Sequence, residues 1–267
     1  MIGIFATLGG MRLLGVEIAD PPRTGVSLIL TIVAVMIVAM AASGLAAGTL
    51  ERVAYRPLRR RNAPRLAALI TAIGLSLTIQ ELFGLRFGRD FLAFPRVLEK
   101  QRLVSFQGAD IRNDKILVIV AALLLMFVLD RFVTRSRLGR GIRATAQNPE
   151  TAALMGVNID RVISLTFILG GILAGGAGTL FGIFFEQARF DIGFLPGIKA
   201  FTAAVLGGIG NIRGALLGGF VLGLLENYGS AVFGGQWRDV FSFAVLVLVL
   251  MFRPTGILGE SLGRARV

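Results

Sequence analysis

The sequence predicts an all-α, polytopic helical membrane protein with about seven to eight membrane segments, one of them short or re-entrant. Hydrophobic residues make up 55% of the chain and its mean hydropathy is +0.76, whereas soluble domains are ~45 to 50% apolar. Several apolar runs approach the ~20 residues that cross a bilayer. All 8 prolines fall in expected loops or at segment ends, which suits uninterrupted helices.

The charge pattern predicts an orientation. The net charge is +12, from 28 basic and 16 acidic residues, and the arginines cluster in the loop Glu51–Arg65 and in the stretch 131–143. Basic loops beside apolar segments are typical of the cytoplasmic side. We therefore predict that both clusters are cytoplasmic, and that the basic charge reflects membrane lipid and orientation rather than a nucleic-acid partner.

The composition also restricts the chemistry. The chain has no histidine and no cysteine, so it lacks the commonest general base and the commonest metal ligands. An intramembrane enzyme is disfavoured for this reason, and we expect no catalytic residue, metal or cofactor.

The predicted segments follow from the apolar runs. Met1–Gly15 is too short to span comfortably and ends before Asp20, Pro21 and Pro22. The segment from Pro196 is only ~20 Å long, less than the ~30 Å hydrocarbon layer, so it is the short or re-entrant one. The predicted spans are 24–49, 66–88, 116–133, 162–185, 196–208, 215–227 and 240–252.

The remaining stretches are predicted as loops and a tail. Residues 89–114 and 186–195 form outer loops, and residues 134–160 form a cytoplasmic loop. Arg264 and Arg266 keep the C-terminus cytoplasmic. We predict a single transmembrane domain, 1–258, followed by a cytoplasmic tail, 259–267.

The cytoplasmic loop contains a predicted short helix, 149–155. Asn148 suits the N-cap, Pro149 the first helical position, Glu150 the first turn and Gly156 the position after the helix. About two turns are marginal in isolation, so the apolar side needs a surface. That surface belongs either to the same protein or to another protein that receives the helix in a groove. The apolar side consists of Ala152, Ala153 and Met155.

Two glycine series predict closely packed helices. Small residues spaced three or four apart share one helix face and let backbones approach in lipid. The alternative is that side-chain-poor helices slide and line a transport path, and the spacing does not separate the two. The series are Gly171, Gly175, Gly178 and Gly182, and Gly210, Gly214 and Gly218.

Polar residues within spans are candidates for a substrate path. Lys199, expected in the first turn of the short helix, either binds a carboxylate there or extends to the interface. Glu81 and Glu226 are functional candidates because ionisable groups are costly at membrane depth, or they are simply exposed at the interface. The candidate path residues are Thr71, Ser76, Gln80, Glu81, Lys199 and Thr202.

Five stretches resemble permease subunits of branched-chain (hydrophobic) amino acid ABC transporters, of the LivH type. Together they cover the chain from about residue 5 to 258. The stretches are Glu-Arg-Val-Ala-Tyr-Arg-Pro-Leu-Arg at 51–59, Leu-Ile-Thr-Ala-Ile-Gly-Leu-Ser-Leu at 69–77, Gly141–Asn158, Lys199–Gly208 and Arg-Pro-Thr-Gly at 253–256.

This resemblance implies a role for the short helix. Glu150, Ala152, Ala153 and Gly156 resemble the Glu-Ala-Ala…Gly loop through which importer permeases touch their ATPases. The residues implied in ATPase coupling are Asn148, Pro149, Glu150, Thr151, Ala152, Ala153, Met155 and Gly156.

The resemblance also implies partners, location and substrate. The partners would be a second homologous permease, two ATP-binding cassette subunits and a periplasmic or extracellular substrate-binding protein. ATP hydrolysis would take place in a partner, because this chain has no Walker-type loop. The location would be a bacterial-type cytoplasmic (inner) membrane, and the cargo branched-chain or other small amino acids.

The sequence also suggests an alternative function. An ion-coupled secondary transporter of small polar solutes is suggested by the short segment at Pro196 and by Glu81, although such a carrier does not need the capped cytoplasmic helix.

Family members usually begin with a spanning helix and an Asn-Phe-Ala-His-Gly element. Phe5–Gly10 resembles the residues just after that element, so we expect the sequence to be either truncated at its N-terminus or started at an internal methionine, and the resemblance does not decide whether the family's first helix is missing.

Overall fold

The computed structural model describes residues 1–16, 25–61, 63–106, 109–253 and 255–259. The predicted break at Asp20, Pro21 and Pro22 and the tail arginines Arg264 and Arg266 lie outside these residues. The helices are α1 Ile2–Leu13, α2 Gly25–Leu50, α3 Arg56–Arg60, α4 Arg65–Phe87, α5 Asn113–Arg135, α6 Arg137–Gln147, α7 Pro149–Leu154, α8 Ile159–Phe185, α9 Phe194–Gly207, α10 Ile212–Phe233 and α11 Arg238–Phe252.

The described part of the chain contains six helical segments that are long and apolar enough to cross a membrane. Two shorter apolar helices, α1 and α9, accompany them. The prediction of a polytopic helical membrane protein with a short segment is therefore confirmed. The six segments are Gly25–Arg60, Leu66–Phe87, Asn113–Arg135, Ile159–Phe185, Ile212–Phe233 and Gly235–Phe252.

Short strands occupy stretches that we predicted only as loops. β2 (Arg102–Phe106) and β3 (Ala109–Arg112) form an antiparallel hairpin, while β1 (Leu92–Ala93) pairs with β4 (Gln187–Ala188). β1 and β4 have only two residues each, too few to show an alternation of apolar and polar side chains. They also lie far apart along the chain. The sequence pattern therefore had no local signal for this pairing.

One compact unit consists of residues 1–125 and 131–193. In it α1 and α2 pack on α8, and the buried residues at the centre include Ile4, Met11, Val35 and Ile183. Such tight packing needs small residues where the backbones approach, since lipid supplies no hydrophobic drive between helices.

The glycines of α8 lie at this contact. A Cβ on Gly175 would overlap the carbonyl oxygen of Ala39, and one on Gly171 would overlap the backbone of Ser43. Gly178 and Gly182 continue the same face, against α1 and against the ring of Phe94. Glycine at these positions therefore permits the observed separation of α8 from its neighbours.

The second compact unit consists of residues 126–130 and the described residues from 194 onward. Its buried cluster is Ala203, Leu206 and Leu222, from α9 and α10. After α11 the chain returns to α9, where Ile257 N donates to Leu206 O at 2.8 Å. The single domain expected for 1–258 stays a prediction.

The second glycine series behaves differently from its prediction at one position. A Cβ on Gly214 or Gly218 would overlap the backbone of α9, as helix packing requires. Gly210 was wrongly grouped with them. It precedes α10, has φ +97° and has open space around it, so its part is to form the turn.

Candidate functional site

The short helix α7 carries the predicted caps. Asn148 Oδ1 accepts hydrogen bonds from the backbone N–H groups of Glu150, at 3.0 Å, and Thr151, at 3.1 Å. At the other end Gly156, with φ +82°, donates to Ala153 O, and Val157 donates to Ala152 O. This pair of bonds is a Schellman motif. The helix ends at Leu154, one residue earlier than predicted.

The apolar side of α7 divides between the protein and the surface. Ala152 is buried, at 4% exposure, so the protein itself supplies part of the surface that this side needs. Leu154 and Met155 are 88% and 80% exposed, and Ala153 is also exposed. Leu154 was not singled out from the sequence. Adjacent large apolar side chains at such exposure form an apolar tip that a partner surface could cover.

The helix before α7 was not predicted. α6 is capped by Ser136, whose hydroxyl accepts from Gly139 N at 2.8 Å. Gly139 and Gly141 lower the intrinsic helix propensity, which hid the segment. Gly139 is needed because a Cβ there would overlap the backbone of Val133 in α5. The cap begins α6 directly after α5, and the glycine permits the close approach of the two helices.

An ion network ties the start of α8 to the end of the helical segment Gly25–Arg60. Asp160, in the first turn of α8, accepts from Arg59 at 2.6 Å and from Arg56 at 3.4 Å. Arg59 also pairs with Glu51 at 3.1 Å, and Ser164 donates to the other oxygen of Glu51 at 2.6 Å. Glu51 is fully buried, and these partners satisfy its carboxylate. The arginine loop is therefore fixed to the segment that carries α7.

A cavity of about 320 Å³ lies in the first unit. Ser76 and Gln80, two of the predicted path residues, line it together with Ser43 and Tyr55. Ser43 is 7% exposed, and its hydroxyl oxygen has no hydrogen-bond partner among the described residues. The rest of the lining is mainly apolar, so the cavity combines an apolar wall with a few polar groups.

Two further path candidates do not line this cavity. Thr71 donates to Ala67 O within its own helix. Glu81 is exposed and pairs with Arg89 at 2.9 Å. Glu81 therefore matches the simpler of its two predicted interpretations.

Lys199 lies in an ion cluster of the second unit. Its ammonium is 3.1 Å from Glu226 and 2.8 Å from Asp239. Glu226 also pairs with Arg238 at 3.4 Å and accepts a hydrogen bond from Ser242. The cluster joins α9, α10 and α11.

The structure differs from three sequence-based expectations for this region. α9 begins at Phe194, so Lys199 is its sixth residue and not in its first turn. Interfacial exposure of Glu226 was wrong, because this carboxylate is 7% exposed and satisfied by three side chains. Thr202 is buried and donates to Ile198 O of its own helix.

The opposite end of the first unit also carries ion pairs. Glu186 follows α8 directly, with a left-handed backbone at φ +54°. Its carboxylate pairs with Lys100 at 2.7 Å and with Arg96 at 3.1 Å. The hydrogen bond to Asp191 raises the pKa of Arg189, and that to Asp114 raises the pKa of Arg112. These pairs hold the short strands and loops at this end.

Six long apolar helices, glycine-mediated packing and a capped helix with an apolar tip define a multi-pass membrane protein. The model of the family described as the branched-chain amino acid transport system permease component matches residues 1–250. The chain belongs to this family. Membership favours a transport permease over the ion-coupled carrier.

Several relatives are similar over most of the chain. The high-affinity branched-chain amino acid transport system permease protein BraD of Pseudomonas aeruginosa is 48% identical over 215 residues, which are 79% of this chain and 69% of that protein. The corresponding protein LivH of Escherichia coli K12 is 45% identical over the same shares. The probable LivH of Methanocaldococcus jannaschii is 28% identical over 233 residues, 81% of this chain and 71% of that protein. No solved structure matches the chain.

Proposed function

We propose that this chain is the membrane-spanning permease subunit of an ABC importer for branched-chain or other small amino acids. The observation that carries the proposal is α7, a helix capped at both ends that presents Leu154 and Met155 to the outside. The relatives named above transport branched-chain amino acids by their descriptions. ATP is bound and hydrolysed by a separate subunit, so this chain is not an enzyme.

The coupling works through a rigid helix. When the ATPase pair closes on ATP, its surface moves α7, which resists fraying because Asn148 and the Schellman motif close its ends. Ala152 anchors α7 to the protein, and the Asp160–Arg59–Glu51 network links the start of α8 to the end of the helical segment that begins with α2. The force therefore reaches two packed membrane helices. This biases a two-state equilibrium between inward- and outward-facing forms.

The cavity of the first unit belongs to the translocation path. Its apolar wall suits a branched aliphatic side chain, and Ser43, Ser76 and Gln80 offer hydrogen bonds to an ammonium or carboxylate group. The role of Lys199 as a carboxylate site is less well supported, because Glu226 and Asp239 already neutralise its charge.

The partners and location follow from the same role. The importer contains a second homologous permease, two ATP-binding cassette subunits and a periplasmic or extracellular substrate-binding protein. It lies in a bacterial-type cytoplasmic membrane. The arginine-rich ends of the helices and the C-terminus face the cytoplasm, by the positive-inside rule.

A charge placed on the apolar tip tests the coupling role. Met155→Asp should abolish co-purification of the ATPase subunit and lower uptake at least tenfold, because a carboxylate would be buried in the partner's groove. The matched control is Leu138→Asp, on the exposed side of α6. Wild-type co-purification and uptake by Met155→Asp would overturn the proposal.

A further inference from the structure

The chain directly after α2 has an unusual backbone. Residues Glu51–Tyr55 form a π-helical turn, in which Arg56 N donates to Glu51 O. Pro57 explains it, since proline has no N–H for the carbonyl of Val53 and its ring would clash with that oxygen. Such turns often mark functional sites.

The turn arranges four arginines around one concavity. Arg52 lies on the π-helical turn, and Arg56, Arg60 and Arg61 lie on or directly after α3. With Pro57 they line a pocket of about 240 Å³.

The described residues balance the positive charge of this pocket only at Arg56. The nearby carboxylates, Glu51 and Asp160, are held mainly by Arg59, and Arg56 reaches Asp160 only at 3.4 Å. The Nε atom of Arg56 is buried and has no hydrogen-bond partner in the described part of the chain.

The other three arginines of the pocket are also available. Arg52, Arg60 and Arg61 are exposed, and within the described ranges no ion pair involves them. A buried guanidinium donor without an acceptor, beside unpaired positive charge, indicates an anion.

The surroundings indicate which anion. The pocket ends a continuous apolar helical segment, Gly25–Arg60. Val53, on the same turn, is 77% exposed. Exposed aliphatic groups beside arginines are typical of the boundary between acyl chains and headgroups. An acidic surface of a soluble partner would leave the exposure of Val53 unexplained.

We propose that the arginine pocket formed by Arg52, Arg56, Arg60 and Arg61 binds the phosphate of an anionic phospholipid headgroup. The phosphate oxygens accept from the exposed guanidinium groups of Arg52, Arg60 and Arg61, and the acyl chains lie toward Val53. Guanidinium groups suit this because they donate paired hydrogen bonds to phosphate. The pocket shares Arg56 with the ion network at the start of α8, whereas, among the residues that the structure describes, Arg52, Arg60 and Arg61 take no part in that network.

Lipid titration of the purified full chain, in neutral detergent, tests the site. Short-chain phosphatidylglycerol and phosphatidylcholine are added at equal concentrations, and bound lipid is counted by native mass spectrometry. Each arginine near a headgroup contributes a factor of roughly five to affinity. The variant R52Q/R60Q/R61Q should therefore bind phosphatidylglycerol on the order of a hundredfold more weakly, with phosphatidylcholine unaffected.

Two controls accompany this variant. Arg135→Gln, at the exposed end of α5, should bind phosphatidylglycerol like the wild type. R60K/R61K keeps the charge but not the paired donors, so its loss should be smaller than that of the glutamine variant. An unchanged thermal unfolding midpoint shows that each variant is folded.

Three results would overturn the assignment. The first is equal binding of phosphatidylglycerol by the wild type and the triple glutamine variant. The second is displacement of the lipid by an equal concentration of inorganic phosphate, which would make the ligand free phosphate. The third is loss of ATPase co-purification with unchanged lipid binding, which would assign the pocket to an acidic protein surface.

Discussion

At the scale of single residues, Asn148 has the clearest local task. Its side-chain oxygen satisfies two backbone N–H groups that a helix of six residues cannot pair internally. The cap lets so short a helix persist at an exposed position. α7 can transmit a displacement only while it is folded.

Replacing this cap should loosen α7 without unfolding the protein. Asn148→Ala should lower the stability of the α7 helix by about 1 kcal/mol. The amides of Glu150 and Thr151 should therefore exchange hydrogen several-fold faster. Hydrogen-exchange mass spectrometry measures this directly. Asn148→Asp keeps the acceptor and should exchange like the wild type. Equal protection in Asn148→Ala would mean that packing alone holds α7.

At the scale of helices, the contact of α8 with α2 depends on glycine. Gly175→Leu should destabilise the protein by about 1–3 kcal/mol or more, because its side chain would meet the backbone of Ala39 and Met40. Gly170→Leu is the matched control, since a Cβ there has open space. Thermal unfolding in detergent compares the two. Equal midpoints would show that α8 does not pack on α2 in this way.

The ion cluster of α9, α10 and α11 also acts between helices. Lys199→Gln and Glu226→Gln should each destabilise the protein, and the double variant should lose less than the sum, because both single changes break the same pair. A double-mutant cycle of unfolding free energies measures the coupling. Full additivity would contradict the pair. A loss of uptake in Lys199→Gln with unchanged stability would instead favour its role as a carboxylate site.

At the scale of the whole molecule, the predictable features were local ones. The apolar runs, the proline positions and the caps of α7 follow from short-range periodicity and propensity, so the spans and the short helix could be anticipated. The burial of Glu51 could not, because its partner Ser164 is 113 residues away. The same holds for Glu226 with Lys199 and for β1 with β4, whose pairing depends on tertiary structure.

For the candidate site residues, too, local sequence signals did not reveal the tertiary contacts. Ser76 and Gln80 line the cavity together with Ser43, which sequence reasoning missed because a lone serine in an apolar helix has no distinguishing pattern. Thr71 and Thr202 were chosen as polar residues within spans, yet each donates to its own helix backbone. Only the assembled helices show which polar side chains are left to face a cavity.

The central claim is that α7 is the element that touches the ATPase on the cytoplasmic side. The chain has no cysteine, so a single Met155→Cys substitution gives a unique probe, with Asp90→Cys, after α4 at the opposite end of the first unit, as control. In the assembled transporter, Met155→Cys should react only from the cytoplasmic side and should cross-link to the ATPase subunit, whereas Asp90→Cys should do neither. Labelling of Met155→Cys from the outside, or its failure to cross-link to the ATPase in a complex that still transports, would contradict the account.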